Sequence, residues 1–350
     1  MKQVFILGCE RSGTTWLANI FDAHPDVELL MEPFADFIFI FPGLPTRNIY
    51  LSHPQDRHIQ SVKKGYQRLP RLKYPFFYKS GRPLYLKKWD GFLFSQCKRV
   101  LRKFHLEMPL KLLRYYLLHL NTLTIPISQQ SGKNRHPGAQ VTKELRLNFK
   151  IGLISRVFSD ALYLIILRHP GAQISSIRRL FRKDSLSELN QSLQTFFKDI
   201  AGMSRFEKYG QLIDRFDGPG CGDEDIQLIL WWLINYEVLL EDLDHHGCKF
   251  QLVFHEEISE KPPDAVCRVF DFVGLEVVDQ VQTYLERSSN TQLHTIESNV
   301  DTNRDSANYY KQAINAVDPV LNDKIQQVIG YHGELLAPGL RNYLEKFYHF

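Results

Sequence analysis

The first fifteen residues constrain this chain more than any other stretch. Val4-Phe5-Ile6-Leu7 is a short apolar run of the kind that forms a strand buried on both faces. Gly8-Cys9-Glu10-Arg11-Ser12-Gly13-Thr14-Thr15 follows without a break, and Trp16, Leu17, Ile20 and Phe21 then recur at helical spacing until His24-Pro25. A strand that passes through a glycine loop straight into a helix has to return to the same sheet by a crossover. The expected fold class is therefore α/β, with a central, mainly parallel sheet flanked by helices. The remaining strands fit that plan: Val27 to Met31 with Glu32-Pro33 at its carboxyl end, Ala139 to Thr142 leading into Lys143, Leu162 to Leu167 ahead of Arg168-His169-Pro170-Gly171, and Phe250 to Phe254. Helices are expected at about Gln173 to Phe181, Leu228 to Leu243 and Ala265 to Val273. We read residues 1–350 as one domain with a basic, partly helical excursion at about 40–138. Within it, 40–88 reads as irregular, 91–120 as an amphipathic basic helix and 126–138 as a loop.

The loop between the first strand and helix has the make-up of an anion cradle. Unpaired N–H groups and the positive end of the helix dipole favour a phosphate there. Gly13 lets the backbone approach closely, Thr14 and Thr15 add hydroxyl donors, and Arg11 adds a permanent charge with a bidentate fork. Gly8 and Gly13 carry the spacing of the GxxxxGK[ST] phosphate loop, but Thr14 stands where that motif requires Lys. This departure speaks against an ordinary nucleoside-triphosphate hydrolase. An N-capped helix after a strand is the plain structural alternative.

The net charge of +4 conceals a segregation. Residues 1–56 hold 3 Lys+Arg against 7 Asp+Glu, residues 57–182 hold 26 against 4, and residues 183–350 hold 14 against 28. A block at +22 favours an anionic partner, unless the acidic third simply packs beside it. No nucleic-acid-binding motif accompanies the charge. In 98–114, Lys98, Arg99, Arg102, Lys103, Lys111 and Arg114 interleave with Leu101, Phe104, Leu106, Leu110, Leu112 and Leu113. Such a segment can lie on an anionic membrane, line a groove for an acidic glycan, or form a solvated face. The five cysteines are odd in number, widely spaced and free of CxxC, which argues against a disulfide framework and a structural zinc site. The apolar run at 4–7 is too short for a signal-peptide core of ~7–15 residues, so a reducing compartment, most simply the cytoplasm, is expected. The most apolar later stretch, Leu228 to Leu240, is far short of a ~20-residue membrane span.

Arg11-Ser12-Gly13-Thr14-Thr15-Trp16 resembles the 5′-phosphosulfate loop of the PAPS-dependent sulfotransferases. The second hallmark of that family, a strand ending in Arg with Ser eight residues later, is matched by Leu164-Ile165-Ile166-Leu167-Arg168 and Ser176. Arg168-His169-Pro170-Gly171-Ala172 is similar to the RDPRA form common in the carbohydrate and bacterial branches. Leu252 to Ile258 resembles the family's strand-plus-YEDL segment, Val269 to Leu275 its F-x-G-L helix end, and Tyr309-Tyr310-Lys311 with Ile329-Gly330-Tyr331 its C-terminal segment. The resemblance spans almost the whole chain and implies the sulfotransferase version of the P-loop nucleoside triphosphate hydrolase-like fold.

What it implies chemically is transfer of a sulfuryl group from PAPS to an acceptor hydroxyl or amine, with no metal. Arg11, Ser12, Gly13, Thr14, Thr15 and Trp16 would hold the 5′-phosphosulfate, and Arg168 with Ser176 the 3′-phosphate. Arg304, in Thr-Asn-Arg-Asp-Ser, would be a further late basic contact, or a plain loop residue. Arg11 and Lys143 would neutralise charge on the leaving phosphate. Lys143 resembles the Lys of the Lys-x-His segment of the small-molecule branch, but Leu145 replaces the basic His of that segment. Glu32, in a Glu-Pro segment like that of the carbohydrate and bacterial branches, is then the candidate base. Its neighbours Met31, Pro33 and Phe34 suggest an apolar setting that raises its pKa. His24 is the rival base, although His24-Pro25 reads as a helix stop, and His169 is expected only to shape its turn. A carbohydrate, polysaccharide or glycolipid acceptor follows from the missing His and the Glu-Pro. The other readings are a protein that binds the nucleotide without transfer, and a phosphoryl-transferring kinase, against which the missing Walker Lys speaks.

Overall fold

The computed structural model describes residues 1–36, 41, 43–44, 50–51, 53–72, 134, 137–180, 186–216, 223–289 and 317–348. Among the described residues, five strands form one wholly parallel sheet: β1 (Lys2–Leu7), β2 (Val27–Met31), β3 (Ala139–Lys143), β4 (Leu162–Leu167) and β5 (Lys249–Phe254), in the order β2-β3-β1-β4-β5. Buried runs such as Val4 to Leu7 and Tyr163 to Leu167 sit between layers of helices, which is why they are apolar on both faces. The register pairs Ile6 of β1 and Met31 of β2 with the same residue, Lys143 of β3. The carboxyl ends of β2, β3 and β1 therefore lie side by side.

After β1 the chain enters α1 (Thr14–Asp22), whose face of Leu17, Ala18, Ile20 and Phe21 is buried, with the Phe21 and Phe270 rings stacked at 4.7 Å. A short 3₁₀ turn, Pro33–Asp36, follows β2. Residues 40–88 were expected to be irregular, but α2 (Asp56–Leu72) lies within them. His58, Ser61, Val62 and Tyr66 make its buried stripe at helical spacing, and exposed Lys63 and Lys64 break up the apolar signal in the sequence. The Tyr66 hydroxyl donates to Thr142 Oγ1 at 3.2 Å, which ties α2 to β3.

The second half adds α3 (Ile151–Val157), α4 (Pro170–Leu180), α5 (Leu186–Ile200), α6 (Gly210–Arg215), α7 (Glu224–His245), α8 (His255–Glu260), α9 (Pro262–Val273), α10 (Asp279–Ser289), α11 (Pro319–His332) and α12 (Pro338–Tyr348). α7 starts on an Asp223 cap whose Oδ1 accepts from the Asp225 and Ile226 N–H groups at 3.0 and 3.4 Å. It is buried on nearly every side and forms the spine against which the loop after β1 is braced. Strand and helix bounds expected from the sequence agree with those found to within a few residues, with Lys143 belonging to β3 itself. Segment 98–114 and Arg304 lie outside the described residues. Among the described residues, no helix is long and apolar enough to cross a membrane.

Candidate functional site

The loop after β1 is held from below by its own backbone and by α7 and α4. The Tyr236 hydroxyl, on α7, donates to Ile166 O at 2.8 Å and accepts from the Cys9 N–H at 3.2 Å. Gln173 Nε2, on α4, donates to Glu10 O at 2.7 Å, while Gln173 Oε1 accepts from Trp232 Nε1 at 3.3 Å. Asn148 Nδ2 donates to Gly8 O at 3.3 Å. The turn closes through a Ser12 N–H bond to Cys9 O at 3.2 Å. Gly13 then enters α1 at φ 107, and no side chain caps the helix. An added Cβ at Gly13 would lie 2.7 Å from Cδ2 of His255, the first residue of α8. Burial and the Arg168 guanidinium hold that imidazole well below its usual range, so it is neutral beside the loop. An anchored loop, an uncapped helix start and a residue that tolerates no side chain can together receive an anion through backbone N–H groups.

The two sequence hallmarks meet here. Arg11 Nε donates to Ser176 Oγ at 3.0 Å, and Arg168 Nη1 donates to Arg11 O at 2.7 Å. Both Arg168, just past β4, and Ser176, on α4, are buried. Arg11 adopts φ 67 and Glu32 φ 49, and these are the positive-φ residues other than glycine among the described residues. Such strain needs support from its surroundings and tends to collect at functional sites. For Glu32 the support is visible. Its N–H donates to Lys143 O at 2.7 Å, and the turn behind it is held by Phe34, whose N–H donates to Glu144 Oε2 at 2.8 Å and whose ring stacks on Phe41 at 4.2 Å.

The Glu32 carboxylate is paired on both oxygens, with the buried Lys143 Nζ on Oε1 and Arg146 Nη1 on Oε2 at 3.3 Å. Burial pushes its pKa up, but the Lys143 ammonium and Arg146 guanidinium outweigh burial and hold it below the usual carboxylate range. This corrects the expected apolar setting. The apolar residues are neighbours in sequence, whereas the space is shared with two cations, Lys143 at the end of β3 and Arg146 just beyond it. Arg146 also reaches Glu144 Oε1 at 3.4 Å. Glu144 is wholly buried and its pKa is raised, chiefly by that burial. Lys150 is buried too, which lowers its pKa to about 7, and its Nζ donates to Arg146 O at 3.1 Å. Arg146, Glu144 and Gln173 join the site without having been expected there. For Arg146 and Glu144 a signal existed in the charged Val-Thr-Lys-Glu-Leu-Arg run.

His24 lies at the far end of α1, with Nδ1 accepting from the Asp26 N–H at 3.0 Å, away from this cluster. His169 Nδ1 accepts from the Ala172 N–H at 3.2 Å and its N–H donates to Glu256 Oε1 at 3.0 Å, so it shapes the turn into α4. Among the described residues, no group of three or more His, Cys, Asp or Glu could hold a metal ion, and Cys9, Cys248 and Cys267 are free thiols.

Solved structures similar to this one include the sulfotransferase domain from the curacin biosynthetic pathway, at 14% identity and TM-score 0.44, covering 95% of this chain and 97% of that one. Another is the sulfotransferase STF9 from Mycobacterium avium, at 14% identity and TM-score 0.38, with 96% and 77% covered. Mouse sulfotransferase SULT7A1 complexed with PAP matches at 10% identity and TM-score 0.40, with 99% and 88% covered. No curated protein sequence matches the chain significantly. The family model described as "Sulfotransferase family" matches residues 3–218, well over half of the chain, and the protein therefore belongs to the sulfotransferase family.

Proposed function

We propose that this protein transfers a sulfuryl group from PAPS to a hydroxyl or amine of a carbohydrate, polysaccharide or glycolipid acceptor, with Glu32 as general base. The observation that carries the reading is the meeting of Arg11, Arg168 and Ser176 at a loop whose next strand-end neighbours are Lys143 and Glu32. The residues present fit the donor: the loop leaves no room for a Cβ at 13, and its helix start is uncapped. PAPS supplies a sulfuryl group on a phosphate leaving group.

The N–H groups from Gly13 to Trp16, the Thr14 and Thr15 hydroxyls and the Arg11 guanidinium hold the 5′ end, and Arg168 and Ser176 hold the 3′-phosphate. Arg304 is assigned to that phosphate as well, by resemblance alone. Thr14 in place of the Walker Lys favours this nucleotide over ATP. Glu32 is ionised at neutral pH, as a base must be, but its Lys143 and Arg146 partners weaken its basicity. A bound sulfuryl oxygen would compete with Glu32 for the Lys143 ammonium, and loss of that partner would raise the affinity of Glu32 for a proton. The reading also takes residues 1–350 as one domain, sets the protein in the cytoplasm, and gives the basic segment 98–114 an anionic acceptor or membrane surface to meet.

The test is to incubate purified protein with radiolabelled PAPS and a panel of glycans and glycolipids. Transfer that is lost in Arg11→Ala and Glu32→Gln is expected. No transfer to any acceptor, together with tight binding of 3′,5′-ADP, would leave a nucleotide-binding protein instead. Measuring transfer and liposome binding against ionic strength decides the role of the basic segment, since a flat response would reduce its charge to surface solvation.

A further inference from the structure

Glu144 is the first residue after β3, and it ties together the carboxyl ends of three strands. Its N–H donates to Ile6 O on β1 at 3.0 Å, while the carbonyl of the preceding Lys143 accepts from the Glu32 N–H at 2.7 Å. One peptide group thus joins β3 to the residues of both neighbours. The Glu144 side chain is wholly buried and reaches two turns at once. Oε2 accepts from the Phe34 N–H at 2.8 Å, in the turn after β2. Oε1 accepts from the Leu145 and Arg146 N–H groups at 2.9 and 3.2 Å, and from Arg146 Nη1 at 3.4 Å. The Arg146 backbone is held on its other side by Lys150, whose Nζ donates to Arg146 O at 3.1 Å. Arg146 Nη1 also meets Glu32 Oε2 at 3.3 Å. Glu32 is strained, at φ 49 and directly ahead of Pro33. Pro33 has no N–H to give, so Phe34 supplies the first backbone donor after Glu32. The N–H groups at 32 and 34, on either side of that strain, are therefore held by consecutive residues at the end of β3.

We propose that Glu144 is a positioning residue of the transfer reaction: its one carboxylate fastens the turn that carries Glu32 to the turn that carries Arg146, and so keeps those two side chains in contact. The inference rests on the reaction proposed above. In that reaction the acceptor oxygen bonds to sulfur as its proton passes to Glu32. The bond from sulfur to the nucleotide phosphate oxygen breaks, and its electron pair leaves on the phosphate. Four donors converge on Glu144, and they approach both ends of its carboxylate. A carboxylate accepts at both oxygens, whereas the amide of Gln accepts at one and presents an NH2 group at the other. Asp keeps both acceptors but is shorter by one carbon, so it cannot span the same two turns. Without the Phe34 bond the Glu32 backbone is free to relax toward negative φ, which swings its carboxylate away from Arg146. Lys143 and Arg146 are the cations that act on Glu32, and Glu144 and Glu10 act on it as like charges. Those that act on Glu144 are Arg146, Glu32 and, from just ahead of α3, Lys150. Separation from Arg146 leaves Glu32 with Lys143 alone, so it takes up a proton at higher pH. Glu144 is wholly buried and acts on the reaction only through Arg146 and Glu32.

The experiment follows sulfuryl transfer against pH in the wild type, Glu144→Asp, Arg146→Met and the double variant. Each rate is normalised to the sites titrated by 3′,5′-ADP, which sets aside any loss of folded protein. Glu144→Asp should bind 3′,5′-ADP and keep its KM for PAPS as the wild type does, because the phosphate loop is untouched. Its kcat should fall by roughly ten- to a hundredfold, since a misplacement of ~1 Å can cost on the order of a hundredfold. The acid limb of its rate should move to higher pH, because the charge is kept while Arg146 is lost to Glu32. In the Arg146→Met background, Glu144→Asp should add little to either change, because it acts through that residue. A full, additive loss in that background, or an acid limb unmoved by Glu144→Asp, overturns the positioning role and leaves the proposed function standing. Absence of transfer in the wild type overturns the proposed function, and the role with it. Amide hydrogen exchange of the wild type gives a second reading that needs no variant. The N–H groups of Phe34, Leu145 and Arg146 should be protected and should open together. A Phe34 N–H that exchanges freely while those of Leu145 and Arg146 stay protected overturns the clamp, even where Glu144→Asp fails to fold.

Discussion

Gly13→Ala puts the architecture of the loop to a quantitative test. The residue sits at φ 107, a conformation that costs a side-chain-bearing residue roughly 1–2 kcal/mol. The new Cβ would stand 2.7 Å from His255 Cδ2, inside van der Waals contact, so the ring or the loop must yield. Inserting a methyl group into a filled space typically costs about 1–3 kcal/mol, which brings the expected destabilisation to about 2–5 kcal/mol. At ~2.1 cal/mol/K per residue, a 350-residue chain then melts roughly 3–7 °C lower. Binding should suffer more than stability, because the N–H groups that follow residue 13 lose their common aim. A loss of at least about tenfold in 3′,5′-ADP affinity, equal to ~1.4 kcal/mol, is expected by calorimetry. The two contributions separate in a double-mutant cycle with His255→Ala. Removing the ring should return the contact part of the melting loss and leave the backbone part. If Gly13→Ala binds and melts like the wild type, the loop does not need its glycine and the reading of the site as a backbone cradle is wrong. If the double variant recovers nothing, the His255 contact is not where the strain lies.

Three further outcomes follow from the site's charges. Lys143→Met should lower sulfuryl transfer by about a hundredfold, within the range for losing one group that stabilises developing charge. It should also flatten the acid end of the stability curve. Glu32 has a lowered folded pKa, so its contribution is present above the usual carboxylate value of ~4.3 and is lost as pH falls through the lower folded one. Melting curves across that acid range in both proteins check the sign. Ser176→Ala removes the acceptor of the Arg11 Nε bond and should weaken 3′,5′-ADP binding by roughly three- to tenfold, with little change in melting temperature. Lys150 has a folded pKa of about 7 against an unfolded value of ~10.4, so between those values the unfolded chain binds the extra proton and stability rises with pH. Lys150→Met should abolish that rise, and denaturant unfolding at several pH values would show a persistent slope if the assignment is mistaken.

The parts of this molecule that were legible in the sequence are those with local causes. β1, its loop and α1 are contiguous, and their apolar spacing, glycines and hydroxyls announce a strand, a cradle and a helix from one fifteen-residue stretch. Arg168 and Ser176 are two turns apart on one strand-to-helix corner, so their spacing alone could place them together. α2 was missed because its buried stripe alternates with lysines, and burial of a stripe is decided by what it packs on, here β3 through Tyr66 and Thr142.

The chemistry of Glu32 was illegible for a stronger reason. Met31, Pro33 and Phe34 describe its chain neighbours, but the partners that set its acidity lie 111 and 114 residues away. They arrive only because β3 inserts between β2 and β1. Parallel sheets of this kind gather the carboxyl ends of strands that are distant in sequence, and ligands are bound at those ends. A residue's place in the chain therefore says which strand delivers it, while its charge state is written by the strands on either side. Glu32 and Glu144 show the consequence. They are identical side chains that share Arg146, and they are pushed in opposite directions, because burial prevails at Glu144 while Lys143 and Arg146 together outweigh it at Glu32.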